Sequence, residues 1–185
     1  MVYMAADEKG IQNDPVGKLF AILEWAKSAS PDVGDIIIYR DKFQGNAVLE
    51  QIVITNEGAI LVELADYGKQ NSADATQLKN FIAEARRRFP SRDYGLLVFS
   101  HSSGWMPAGG LEKPLSGGTR SIVMDDNVEN GGSTVRREME LSDFAAALPD
   151  GLFDFILFET CLTANVEVAY ELRNKADYIV ASATI

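Results

Sequence analysis

Short β-rich apolar runs alternate with helically spaced apolar residues along this chain, and that alternation permits few folds other than a largely parallel sheet with helices against it. Residues 2–6 read as a first strand. Residues 16–27 read as a helix with Asp14 as its cap and Pro15 in its first turn, and 35–40 as a second strand. Two further runs, 47–54 and 60–64, are separated by Thr55-Asn56-Glu57-Gly58, which suits an antiparallel hairpin at one edge of the sheet. The clearest helix begins near Ser72 and stops before Pro90, with Leu78, Phe81, Ile82, Ala85 and Phe89 on one stripe. It leads into 94–100, a continuous apolar run of the kind buried in parallel sheets.

From Ser102 to about Arg137 no periodicity is sustained, and Gly, Pro, Ser and Asn are frequent, so this stretch reads as one long functional or disordered loop. Regular patterns resume with a short helix over 142–148, a strand over 153–159, a helical spacing over 163–174 and a last strand over 178–183. The fold class expected is therefore α/β, with a mostly parallel sheet and an edge hairpin. A length of 185 residues with 46% hydrophobic residues suits one domain over 1–185.

Composition excludes several classes of function. A formal charge of −10 argues against a nucleic-acid partner. The basic run Arg86-Arg87-Arg88 falls where a helix ends and complements its macrodipole. No run approaches the roughly 20 apolar residues of a membrane span, and no signal-peptide pattern opens the chain. One cysteine and one histidine rule out an intrachain disulfide and make a self-contained His/Cys zinc site improbable; no metal is indicated. No Gly-rich phosphate loop follows any strand, which leaves little for a flavodoxin-like cofactor binder.

The chemistry gathers on His101 and Cys161. Each follows a strand directly, at the carboxyl end where ligands collect in parallel sheets. They are 60 residues apart, enough for one long loop, a helix and a strand, so their strands can be neighbours about 4.8 Å apart. Cys161 is also expected where a strand turns into a helix, whose N-terminus would favour thiolate over thiol. Either residue alone fits a bland role, a buried small hydrophobe or a hydrogen-bonded loop histidine; together they point to a nucleophile and its acid/base partner.

Phe99-Ser100-His101-Ser102-Ser103-Gly104-Trp105 resembles the histidine motif of the clostripain-like (C11) cysteine peptidases, and Phe158-Glu159-Thr160-Cys161-Leu162 with 167–172 resembles their cysteine motif. Residues 2–7 look like the family's first strand and 177–182 like the strand after the cysteine helix. The resemblance implies a caspase-like three-layer α/β/α fold and peptide hydrolysis through a thiol acyl-enzyme. In it Cys161 attacks, His101 protonates the leaving amine, and backbone N–H groups of Ser102, Ser103, Gly104 and Cys161 hold the oxyanion. It also implies cleavage after Arg or Lys, with Glu159, beside Thr160, as the acidic group of the first specificity pocket and Asp7 lining the same cleft. Where the family pattern has Asp before the histidine and Gly after it, this chain has Ser100 and Ser102.

By the same resemblance the substrate is a polypeptide and the protein is secreted or on a bacterial cell surface. The domain is expected to be incomplete at both ends, with the remaining C-terminal part of its precursor as a partner. Processing is expected in the long loop, at Arg120 or Lys113, and calcium is the one cofactor the family would bring. The alternative is a catalytically silent binding module on the same fold.

Overall fold

A computed structural model describes residues 1–11, 13–30, 34–104 and 121–184. The apolar runs form the strands β1 (Val2–Ala5), β2 (Ile36–Asp41), β3 (Ala47–Thr55), β4 (Gly58–Asp66), β5 (Gly95–Phe99), β8 (Phe153–Glu159) and β9 (Ala176–Val180) of one seven-stranded sheet. Its order is β4-β3-β2-β1-β5-β8-β9. The pairs β2/β1, β1/β5, β5/β8 and β8/β9 are parallel, and β2-β3-β4 is an antiparallel meander that makes one edge, as the turn signal at 55–58 predicts.

Alternation along each strand divides the core in two. Tyr3, Ala5, Tyr39, Leu96, Val98, Ile156 and Phe158 point to the face covered by α2 (Ala75–Arg88), α3 (Leu141–Ala147) and α4 (Val166–Glu171). There Tyr3 stacks on Tyr39 with ring centroids 4.8 Å apart, and its hydroxyl donates to Ser72 O at 2.7 Å. Val2, Met4, Ile38, Ile52 and Phe99 point to the other face, where α1 (Asp14–Ala26) inserts Leu19 and Ala26. The expected α/β/α layering follows. The second face is covered only in part, so that Phe155, Tyr178 and Val180 remain exposed on β8 and β9.

Three expectations need correction. Asp14 does not cap α1: Asn13 takes the cap position and Asp14 is the first helical residue. The helix after Cys161 is shorter than 163–174, starting at Val166 under a cap in which Asn165 Oδ1 accepts from Val168 N at 2.9 Å. The stretch 102–137 is not one loop, because its second half forms a separate two-stranded sheet, β6 (Ser121–Asn130) and β7 (Ser133–Glu140). Gly131 and Gly132, both at positive φ (58° and 88°), make its turn. Register shifts at Ser121/Val123 and Asp125/Val128 break the two-residue period, which hides the hairpin from a periodicity reading.

Where β1 and β2 end beside the middle of β6, three carboxylates are buried: Asp7, Asp41 and Asp125. Asp125 accepts from Ser72 N (2.9 Å) and Ser72 Oγ (3.2 Å) through Oδ2 and from Asn127 N (3.0 Å) through Oδ1. Neither oxygen of Asp41 has a well-formed hydrogen bond. Burial, with the charges of Asp125 and Asp7, pushes the Asp41 carboxyl up to about 8, and the nearby Ser72 offsets this only in part. The folded chain thus keeps a proton that the unfolded chain releases near 3.8, so stability falls as pH rises from that value to about 8. Asp41→Asn should remove this slope. In thermal denaturation we expect the variant to match the parent at pH 4 and to melt roughly 5 °C higher at pH 8.5, the shift that about 2 kcal/mol produces in a domain of this size.

Candidate active site

β5 and β8 pair with Phe99 opposite Glu159, and His101 and Cys161 each lie two residues beyond that pair. Parallel register therefore delivers the imidazole and the thiol to the same level at the carboxyl edge of the sheet. The two following loops touch. Gly104, at φ 61°, packs so closely on the turn after the cysteine that a Cβ there would lie 2.1 Å from Leu162 O. Leu162 is itself at φ 58°, a left-handed conformation whose strain, of order 1 kcal/mol for a side-chain-bearing residue, has to be held by its neighbours. Leu162 N donates to Thr184 O (3.3 Å), and Leu162 O accepts from Asn165 Nδ2 (2.7 Å). Cys161 is half-buried in this turn. Because α4 begins only at Val166, the cysteine is not in the first turn of a helix, and the expected support from a helix N-terminus does not apply.

The serines of the histidine motif have structural work. Ser100 Oγ accepts from Met124 N (3.1 Å), Ser102 Oγ donates to Ser121 O (3.0 Å), and Ser103 Oγ accepts from Ser121 N (3.3 Å). Together they fasten the segment after β5 to β6. The backbone amides share in this: Ser103 N donates to Ser121 O (3.2 Å) and Gly104 N to Ser102 Oγ (2.9 Å). Two of the N–H groups expected to hold an oxyanion are thus committed inside the protein. The left-handed residue of the motif is Gly104, not Ser102.

His101 Nε2 lies 3.1 Å from Oε2 of Glu8, a residue in the turn after β1 that the sequence pattern does not single out. The available signal is the acidic pair Asp7-Glu8 at a strand's carboxyl end, where alternation sends the two side chains different ways. Asp7, expected in the cleft, is buried, and its Oδ1 accepts from Gln44 N and from Asn127 Nδ2. This is a correction: burial and two donors commit it to holding loops together. Thr160 likewise points into the protein, its hydroxyl 3.3 Å from Thr163 Oγ1. Glu159 points the other way and is partly exposed, with Lys18 Nζ of α1 3.1 Å from its Oε1. Lys113 and Arg120 lie outside the described residues. Among the described residues no group of three or more His, Cys, Asp or Glu is arranged to hold a metal ion.

The clostripain (C11 peptidase) family model matches residues 2–185. The chain belongs to the clostripain family. Among solved structures, it is similar to a secreted C11 cysteine protease from Bacteroides thetaiotaomicron, solved with an irreversible peptide inhibitor: 30% identity, TM-score 0.81, covering 99% of this chain and 47% of that one. An inactive zymogen C11 protease from Parabacteroides distasonis matches with the same identity, TM-score and coverage. A further secreted protease from B. thetaiotaomicron, iotapain, at 17% identity and TM-score 0.77, shares the fold. The chain spans about half the length of these structures. No curated protein matches it by sequence.

In this member of the clostripain family the contact of Gly104 with Leu162 joins the two motif loops. Gly104→Ala should strain the backbone and push the Leu162 carbonyl away, destabilising by about 2 kcal/mol or more. We expect a lower melting temperature together with slower alkylation of Cys161 by iodoacetamide. Normal alkylation in the folded variant would mean that the contact does not set the cysteine's position.

Proposed function

We propose that this chain carries the catalytic dyad of a cysteine endopeptidase that cleaves polypeptides after Arg or Lys, with Cys161 as nucleophile and His101 as general acid/base. The observation that carries this reading is the matched register of β5 and β8, which sets the two residues level at the carboxyl edge. Membership of the clostripain family supports the reaction class.

Cys161 gives its thiol proton to His101, and Sγ attacks the scissile carbonyl carbon, forming a C–S bond as the carbonyl electrons move onto oxygen. Collapse breaks the C–N bond while the imidazolium gives its proton to the leaving amine. Water, losing a proton to His101, then hydrolyses the thioester and restores the thiol. The N–H groups of Ser102 and Cys161 are the oxyanion donors this reading retains; Ser103 and Gly104 would have to release Ser121 O and Ser102 Oγ to join them.

Glu159 supplies the countercharge for a basic substrate side chain. Its partial exposure supports that role, and Lys18 already pairs with it as a basic side chain of the substrate would. The pair is too exposed to hold Glu159 tightly, so a substrate cation can displace it. Export from a bacterial cell belongs to the same reading, supported by the secreted solved relative.

A fluorogenic Arg or Lys peptide tests the proposal in the full natural protein. Cys161→Ala should lower turnover at least about 10³-fold; the absence of any Cys161-dependent turnover in the parent would leave a binding module on this fold. Glu159→Gln should raise KM for basic substrates roughly 10-fold while leaving iodoacetamide alkylation of Cys161 unchanged. Lys18→Ala should lower the same KM by a few-fold. Equal loss of turnover and alkylation in Glu159→Gln would mean that Glu159 supports the site without choosing the substrate.

A further inference from the structure

We propose that Glu8 is a positioning residue for His101, holding the imidazole so that Nδ1 faces the thiol. The inference rests on the reading of His101 and Cys161 as a dyad.

β5 lies between β1 and β8 in the sheet. Residues following β1 and β8 therefore reach the imidazole after β5 from opposite sides, Glu8 from one and Cys161 from the other. Glu8 Oε2 is 3.1 Å from Nε2, with the glutamate side chain 5% exposed and the imidazole 37% exposed. Oε2 has no well-aligned hydrogen bond of its own, so a buried carboxylate oxygen is left with the imidazole as its close positive partner. Burying such an oxygen is costly unless a charge or a donor compensates it. A proton on Nε2 does so, and leaves Nδ1 for the thiol side.

The surroundings hold this geometry. A Cβ on Gly10 would lie 2.6 Å from His101 Nε2 and 3.1 Å from Glu8 Oε2, so the contact requires glycine at that position. From β7, Arg136 Nη2 approaches the other oxygen, Oε1, at 3.5 Å, and Arg136 is itself paired with Asp126 of β6. Asp126 Oδ2 also accepts from Lys9 N (3.3 Å), which ties down the residue next to Glu8. The charged groups facing Glu8 are thus His101, Arg136 and Asp126. Burial pushes the Glu8 carboxyl upward and Asp126 adds to this, while the charge on His101, the Gly10 N–H and Arg136 oppose it. Arg136 takes one oxygen and the histidine the other, a division that a purely structural Arg–Glu pair has no need of.

The test compares the parent, Glu8→Gln, Glu8→Asp and Gly10→Ala in the full natural protein, with Cys161→Ala as control. It measures kcat and KM for a basic fluorogenic peptide, and iodoacetamide alkylation of Cys161, across pH. Glu8→Gln keeps the shape and removes the charge. We expect kcat to fall about 10- to 100-fold with KM within about 2-fold, and alkylation of Cys161 to slow. Glu8→Asp keeps the charge and should recover part of the lost kcat. Should Glu8→Gln fail to fold, folded Gly10→Ala, which separates the pair, must lower kcat in the same way with KM nearly unchanged. Parent-like kcat in the folded variant overturns the proposal, as does an equal loss in Glu8→Asp and Glu8→Gln. If Cys161→Ala retains the turnover, the dyad itself is wrong and Glu8 falls with it. If Cys161→Ala is inactive and the Glu8→Gln profiles match the parent's, Glu8 alone falls.

Discussion

Backbone pairing among β1, β5 and β8 fixes where the chemistry can be. These parallel neighbours end at Ala5, Phe99 and Glu159, and each next few residues carry one member of the candidate site: Glu8, His101 and Cys161. Strand spacing of about 4.8 Å sets how far apart the three side chains start, and the ladder hydrogen bonds keep that spacing. A slip of one residue in β8 would turn Cys161 toward the other face of the sheet and bring Thr160 in its place. The buried apolar residues on both faces, Val98 and Ile156 on one and Phe99 on the other, oppose any such slip.

What lies above the strand ends is polar and needs a second level of support. The segment after β5 pairs with β6 through the hydroxyls of Ser100, Ser102 and Ser103, and the turn after β1 is tied to β6 through Asp126 N on Asp7 O (2.8 Å). The small β6/β7 sheet is therefore a brace for two of the three site loops. A small hydroxyl side chain, buried, can satisfy a neighbouring strand's backbone without bringing a charge, as these three serines do. Asp7 follows the same logic, since a buried carboxylate that accepts two N–H donors is a structural tie. Nearby, α1 brings Lys18 to Glu159, so one helix both covers part of the second sheet face and places a cation on the carboxylate that ends β8.

Much of the fold is legible in the sequence because apolar periodicity reports burial directly. The strand over Phe153–Glu159 and the stripe on Ala75–Arg88 are visible without coordinates, since each element buries a face fixed by its own period. The hairpin Ser121–Asn130/Ser133–Glu140 is not, because two bulges shift its period and its first half is buried throughout. Its Gly131-Gly132 turn is the signal that remains. Glu8 is hidden for another reason: nothing local separates it from Asp7, and only the position of His101 on the neighbouring strand gives it a partner.

The sequence by itself determined the α/β architecture, the family and the two residues that can do covalent and proton-transfer chemistry. Residue type and local period suffice for these, since a thiol and an imidazole at strand ends are chemical facts before they are geometric ones. Tertiary structure alone decided which acids face the site. It tied Asp7 and Thr160 into the interior, set Glu8 against His101, brought Lys18 to Glu159 and pressed Gly104 on Leu162. Each of these contacts joins segments far apart in the chain or separated by a fold reversal, and such proximity arises only when strand order and register bring the segments together.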